Sequence, residues 1–182
     1  MAINTCEKKR IKTYMAGPMD DVSIDKSRDW RDWLTEELKK VKIETLNPIS
    51  KYGDKYGNVR QKFAMWGQSG NIDAIRGEVS SHIIPPDMEM VEECDFITLY
   101  ISPKGYEICG SYGEMTVGFY LGNIFSCPRC EFKYKEKPIY IVTKRRLKPV
   151  NVPKWAIGCS TKIFSNWEDY LKYIYEHWVN DG

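Results

Sequence analysis

The run Phe96-Ile97-Thr98-Leu99-Tyr100-Ile101 constrains this chain more than any other stretch. Continuous apolar sequence of this length predicts a strand buried on both faces, not one that alternates between core and water. Such a strand needs helices above and below its sheet, and hence crossover connections that leave neighbouring strands parallel.

The remaining segments supply that pattern. Residues 11–16 (IKTYMA) predict a first strand, stopped by Gly17-Pro18, a dipeptide that also lets backbone approach a ligand closely. A helix follows over 25–40, with Trp30, Trp33, Leu34 and Leu38 at helical spacing as its core face. A second strand, 42–46, is closed by Asn47-Pro48, and residues 49–58, with Gly53 and Gly57, predict a long loop of the kind that often carries function. Residues 61–81 read as helix, weakened or split at Gly67 and Gly70. Pro85-Pro86 predicts a break, after which Asp87 caps a short helix over 88–93. Beyond the 96–101 strand, Gly110-Ser111-Tyr112-Gly113-Glu114 opens a helix over 114–121.

An interruption leads to a strand at 138–142 (PIYIV) and a short edge strand near 161–164. The closing helix, 166–179, buries Trp167, Tyr170, Leu171, Ile174 and Trp178 on one stripe. The expectation is one α/β domain over 1–182, three-layered and flavodoxin-like or Rossmann-like. It has a mainly parallel five-stranded sheet and an inserted segment at about 123–136. No repeat, linker or low-complexity stretch interrupts it.

Composition narrows the function. The chain has 182 residues, 42% hydrophobic and 29% charged, the balance of a soluble globular protein, and a net charge of +2 is too small for a nucleic-acid footprint. Six Trp, twelve Tyr and six Phe exceed what a core of this size needs, so some are expected to line a pocket that stacks a flat ligand. No apolar run reaches the roughly 18 residues of a membrane span, and the first ten residues lack the apolar core of a secretion signal. Six scattered cysteines (6, 94, 109, 127, 130 and 159) fit a reduced, cytoplasmic setting.

In open α/β sheets chemistry gathers beyond the strand ends, where the next helix begins. Glu114 sits there, and Asp87 precedes the same strand. As a pair they suit a nucleophile and an acid/base partner; as isolated carboxylates they suit a helix start and an N-cap, and the two readings are compatible. Asp95 reads as a residue that fixes the start of the strand, and Tyr14 also suits a core position.

Three pieces, in order, resemble the nucleoside 2-deoxyribosyltransferase family, which includes related nucleotide N-glycoside hydrolases. They are Tyr14-Met15-Ala16-Gly17-Pro18-Met19, Asp87 eight residues before Asp95, and Gly110-Ser111-x-x-Glu114 with Gly118 and Leu121-Gly122. The likeness runs through most of residues 11–143. It implies Glu114 as the nucleophile, Asp87 as the residue exchanging a proton with the leaving base, and Tyr14 against the nucleophile. Gly17, Pro18 and Gly110 fall where backbone amides meet the sugar or its 5′ substituent. Some members carry an acidic or serine residue six positions before the glutamate; Ile108 stands there, and Ser111 is placed to supply the polar contact. The family also implies a homo-oligomer, and a reaction without metal or organic cofactor on a small deoxynucleoside or deoxynucleotide and a free base.

Three functions follow: transfer of deoxyribose between bases, hydrolysis of a deoxynucleoside 5′-monophosphate, or ligand binding without turnover. Met19, Asn47, Tyr52, Arg60 and Trp66 are further pocket candidates, with ordinary loop packing as the rival account. Asp20 and Asp21 beside the Gly-Pro turn disfavour a phosphate unless Lys26 or Arg28 offsets them, which favours a nucleoside. Cys127-Pro128-Arg129-Cys130 matches half of a zinc knuckle without a second half, since His82 and His177 are isolated. A hairpin tip with free thiols, or a site completed by Cys109 or a second copy, are the alternatives. Lys144-Arg145-Arg146 with Lys148 reads as a solvated loop.

Overall fold

The structure, a computed structural model, describes residues 10–19, 24–52, 55–102, 109–123, 137–143 and 152–179. Five strands form one sheet: β1 (Lys12–Ala16), β2 (Glu44–Leu46), β3 (Phe96–Ile101), β4 (Ile139–Thr143) and β5 (Lys162–Phe164), in the order β2-β1-β3-β4-β5. All four pairings are parallel. This is the doubly wound, flavodoxin-like order, whose switch point lies between β1 and β3. The run that opened the argument is the central strand β3, with Phe96, Ile97, Thr98, Leu99 and Ile101 all buried.

Two cores sandwich the sheet. On one face α1 (Ile24–Lys39) and α8 (Trp167–Ile174, prolonged by a π-helical turn Tyr175–Val179) cover Met15, Phe96, Tyr140 and Val142. On the other, α5 (Ile84–Glu93), α6 (Cys109–Asn123) and α7 (Lys154–Cys159) cover Tyr14, Ala16, Ile97, Leu99 and Ile141. The alternation of Tyr14 and Met15 between the two cores is the period-2 geometry of a strand. Gly118 lets α6 lie directly on β3: a Cβ there would stand 2.3 Å from Ile97 Cδ1.

Several expectations change. Residues 49–58 do not form a long loop. Asn47 accepts a bond from the Ile49 amide (3.0 Å) ahead of Pro48, starting α2 (Pro48–Tyr52), and α3 (Lys55–Gln68) follows. The expected split falls after Gly67, where Gly70 takes φ +67° and Asn71 caps α4 (Ile72–Glu78). Pro85-Pro86 does not break the chain: both prolines lie in the first turn of α5, which follows directly on a π-helical turn, Val79–Ile83. Asp87 is therefore inside the helix, and Ile83, not Asp87, stands at the N-cap. Helix α6 begins at Cys109, so Glu114 is one turn into it, not at its start.

The aromatic excess serves the core more than a pocket. Trp30 stacks on Trp167 at 5.8 Å, Phe96 meets Trp178 at 4.6 Å, and Tyr140 and Phe164 join the same cluster. Trp33, expected in the core, is 41% exposed at the rim, edge-on to Trp167. Asp95 accepts the Lys12 amide at 3.0 Å and so ties β1 to the start of β3, as expected. Asp20, Asp21, Cys127, Cys130, the segment 124–136 and the basic run 144–148 lie outside the described residues. Among the described residues no helix is long and apolar enough to cross a membrane.

Candidate active site

Parallel strands all end at the same edge of the sheet, and antiparallel crossover helices bring their own ends to it. Helix α5 runs down to the start of β3, so its first turn, with Asp87, stands at the strands' C-terminal edge. Helix α6 starts from that edge and carries Glu114. Tyr14 projects from β1, opposite Leu46 on one side and Ile97 on the other. Three elements thus bring Tyr14, Asp87 and Glu114 into one buried neighbourhood beside the switch point; they are 0%, 5% and 9% exposed.

Their electrostatics are coupled. Burial, then the neighbouring Asp87 carboxylate, push the Glu114 carboxyl up from 4.5 to about 7, while Tyr14 and the Arg31 guanidinium work in the opposite direction. The Tyr14 phenol is held well above its usual range by burial, then by Glu114 and Asp87. Its hydroxyl faces Glu114 closely enough to favour the carboxylate, yet no hydrogen bond of good geometry to it is completed. Two carboxyls thus share one dry space, and the charge of Asp87 is one reason that Glu114 keeps its proton to higher pH.

The other candidates divide. Gly17 and Pro18 are buried where β1 ends, and Met19 beyond them is half-buried. The Gly17 carbonyl accepts the Ser111 hydroxyl at 3.1 Å, so these two belong to the same corner as Glu114. A Cβ on Gly17 would lie 2.6 Å from Trp30 Cζ2, so the glycine is required by packing as much as by any ligand. Gly110 lies in the first turn of α6. Asn47 has a structural task as the cap of α2. Trp66 is half-buried on α3 against Phe63, 6.0 Å away, and Arg60 is half-buried on the same helix. Asp20 and the side chain of Tyr52 lie outside the described residues. Among the described residues no cluster of His, Cys, Asp or Glu could hold a metal ion.

Sequence reasoning missed Arg31. It is fully buried on α1, and its guanidinium reaches the carbonyls at the end of β1. The signal was present, because Ser27, Arg31, Leu34 and Leu38 form a buried stripe at helical spacing. A cation inside an apolar stripe marks a polar task in the interior.

The fold and this corner define a doubly wound parallel α/β protein with a buried pair of carboxyls at its switch point. No protein-family model matches the chain, and no curated protein does. Among solved structures, a conserved protein from Enterococcus faecalis V583 superposes with a TM-score of 0.55 at 15% identity, over 92% of this chain and 99% of that one. A 2-deoxyribosyltransferase from Bacillus psychrosaccharolyticus gives 0.49 at 13% identity, over 89% and 91%. A CMP N-glycosidase of Clostridium botulinum gives 0.43 at 11%, over 91% and 99%. The Enterococcus structure shares the fold.

Proposed function

We propose that this chain cleaves the N-glycosidic bond of a deoxynucleoside and passes the sugar to another nucleobase through a covalent deoxyribosyl-Glu114. The observation that supports the reading is the buried grouping of Tyr14, Asp87 and Glu114 at the C-terminal edge between β1 and β3. The resemblance of the segments holding these residues to the deoxyribosyltransferases points the same way.

A Glu114 carboxylate oxygen attacks C1′, and the C1′–N bond breaks with its electron pair leaving on the base. The proton that the pair shares passes through Asp87 to that base as Glu114 gives it up and attacks, so no anion is released. A second base then enters, gives its N–H proton to Asp87 and attacks C1′, and the Glu114–sugar bond breaks to restore the carboxylate. This is the two-carboxylate logic of retaining glycosidases. Tyr14 steadies Glu114 as its charge is lost and regained.

Incubation with deoxyinosine and free adenine tests the reading. Transfer yields deoxyadenosine and hypoxanthine; base release without deoxyadenosine would replace it by hydrolysis. Glu114→Ala abolishes both products while retaining ligand, and no turnover by the unaltered protein across a panel of deoxynucleosides and their monophosphates would end it.

A further inference from the structure

The scheme above gives no part to Arg31, a fully buried side chain on the face of the sheet opposite Glu114. A guanidinium in the interior is costly unless its donors are met. Arg31 donates to Ser27 O at 2.7 Å within its own helix, then beyond it to Gly17 O at 3.0 Å, Met15 O at 3.3 Å and Pro18 O at 3.4 Å. Three of these four acceptors belong to the last turn of chain leaving β1. The Gly17 oxygen also accepts the hydroxyl of Ser111, from the first turn of α6. Arg31 from one face and Ser111 from the other therefore close on one atom over the end of the strand, and Glu114 follows Ser111 by a single helical turn.

We propose that Arg31 is a positioning residue of this site: it pins the exit of β1 and, through the Gly17 carbonyl and Ser111, fixes the turn of α6 that presents Glu114. The inference rests on the reading of Glu114 as nucleophile. Beyond its own helix this arginine spends its planar fork on a strand end that the site shares. Its charge also favours the Glu114 carboxylate, with Tyr14 acting alongside and Asp87 against. A nucleophile held by such a frame keeps its attack distance, the term to which displacement reactions are most sensitive.

The test uses Arg31→Lys, which keeps charge but loses the fork, Arg31→Gln, which loses the charge, and Ser111→Ala, which cuts the tie from the other side. In ligand-free protein, amide exchange at residues 113–117 should accelerate by about tenfold in all three. The Glu114 carboxyl, followed by ¹³C NMR and assigned by its loss in Glu114→Gln, should keep its midpoint in Arg31→Lys. In Arg31→Gln the midpoint should move up by roughly half a unit or more. Arg31→Lys should lower kcat by about tenfold with KM within about twofold. Unchanged exchange in both Arg31→Lys and Ser111→Ala would overturn the proposal, as would an unmoved midpoint in folded Arg31→Gln. Should Arg31→Gln fail to fold, the other two variants decide. If the unaltered protein turns over no nucleoside, the nucleophile reading falls while exchange and titration still judge the tie.

Discussion

The phenol of Tyr14 and the carboxyl of Glu114 face one another, one from strand β1 and one from helix α6, in surroundings almost closed to water. Glu114 adds to burial in disfavouring the Tyr14 phenolate, Tyr14 in return favours the Glu114 carboxylate, and Asp87 completes the group from a third element. The ionisation of Glu114 is thus a property of the whole corner.

That property sets the pH profile. In the proposed reaction the active form holds one proton between Asp87 and Glu114, and that proton is lost as Glu114 titrates at about 7. The rate of base release, kcat/KM, should therefore fall above about 7 and fall again in acid, when both carboxyls are protonated. In Asp87→Asn the repulsion is gone, and the remaining activity, measured with a leaving group that needs no proton, should rise with pH at a midpoint below 7. A descending limb that survives in Asp87→Asn contradicts the pairing.

Stability should carry the same signature with a definite sign. Glu114 is raised from 4.5 to about 7, so the folded chain keeps a proton that the unfolded chain gives up. The associated stability is present below 4.5, declines across 4.5 to 7 and is absent above, a change of about 3 kcal/mol. Glu114→Gln removes this penalty. It should melt several degrees above the unaltered protein at pH 8, with the gap closing toward pH 4.5. Equal melting temperatures at pH 8 would contradict the buried charge.

Tyr14→Phe separates function from folding. Its hydroxyl completes no hydrogen bond, so its loss should change stability by less than about 1 kcal/mol in a denaturant titration. The same change withdraws support from the Glu114 carboxylate, and kcat should fall by roughly 10 to 100-fold. A large stability loss with normal turnover would assign the phenol to the core alone.

The packing of α6 on β3 gives a test by rescue. Gly118→Ala places a methyl group 2.3 Å from Ile97 Cδ1 and should cost about 1–3 kcal/mol. Ile97→Val removes that atom, so the double variant should recover part of the loss in a double-mutant cycle. Additive losses would mean the contact is not the cause.

The sheet was legible because β1, β3 and β4 are short, mostly apolar runs, and β3 emerged with its predicted bounds. Its neighbours shifted by one or two residues, as ends do. The errors share a cause: local signals were overruled by longer helices. Pro85-Pro86 reads as a break in isolation, but the pair sits where the π-helical turn Val79–Ile83 passes into α5, so the chain stays helical and Asp87 lies inside α5. Gly110 and Gly113 seemed to delay α6, yet the helix includes both, and Glu114 moved inward by a turn. Of the site, the two carboxyls and Tyr14 could be nominated from motif order, and their proximity needed the fold. Arg31 could not be placed because a stripe shows which face is buried and not which carbonyls await a donor there.

Strand β1 meets its two neighbours on very different terms. Glu44–Leu46 returns to it after a single helix, whereas Thr13 and Thr98, whose hydroxyls touch at 2.9 Å, are 85 positions apart. Closing so long a segment is slow relative to local structure formation. No fragment ending before β3 can shelter the Tyr14 phenol from solvent. The corner that holds Tyr14, Asp87 and Glu114 is thus assembled late, and a nascent or truncated chain lacks it until its distant half has docked.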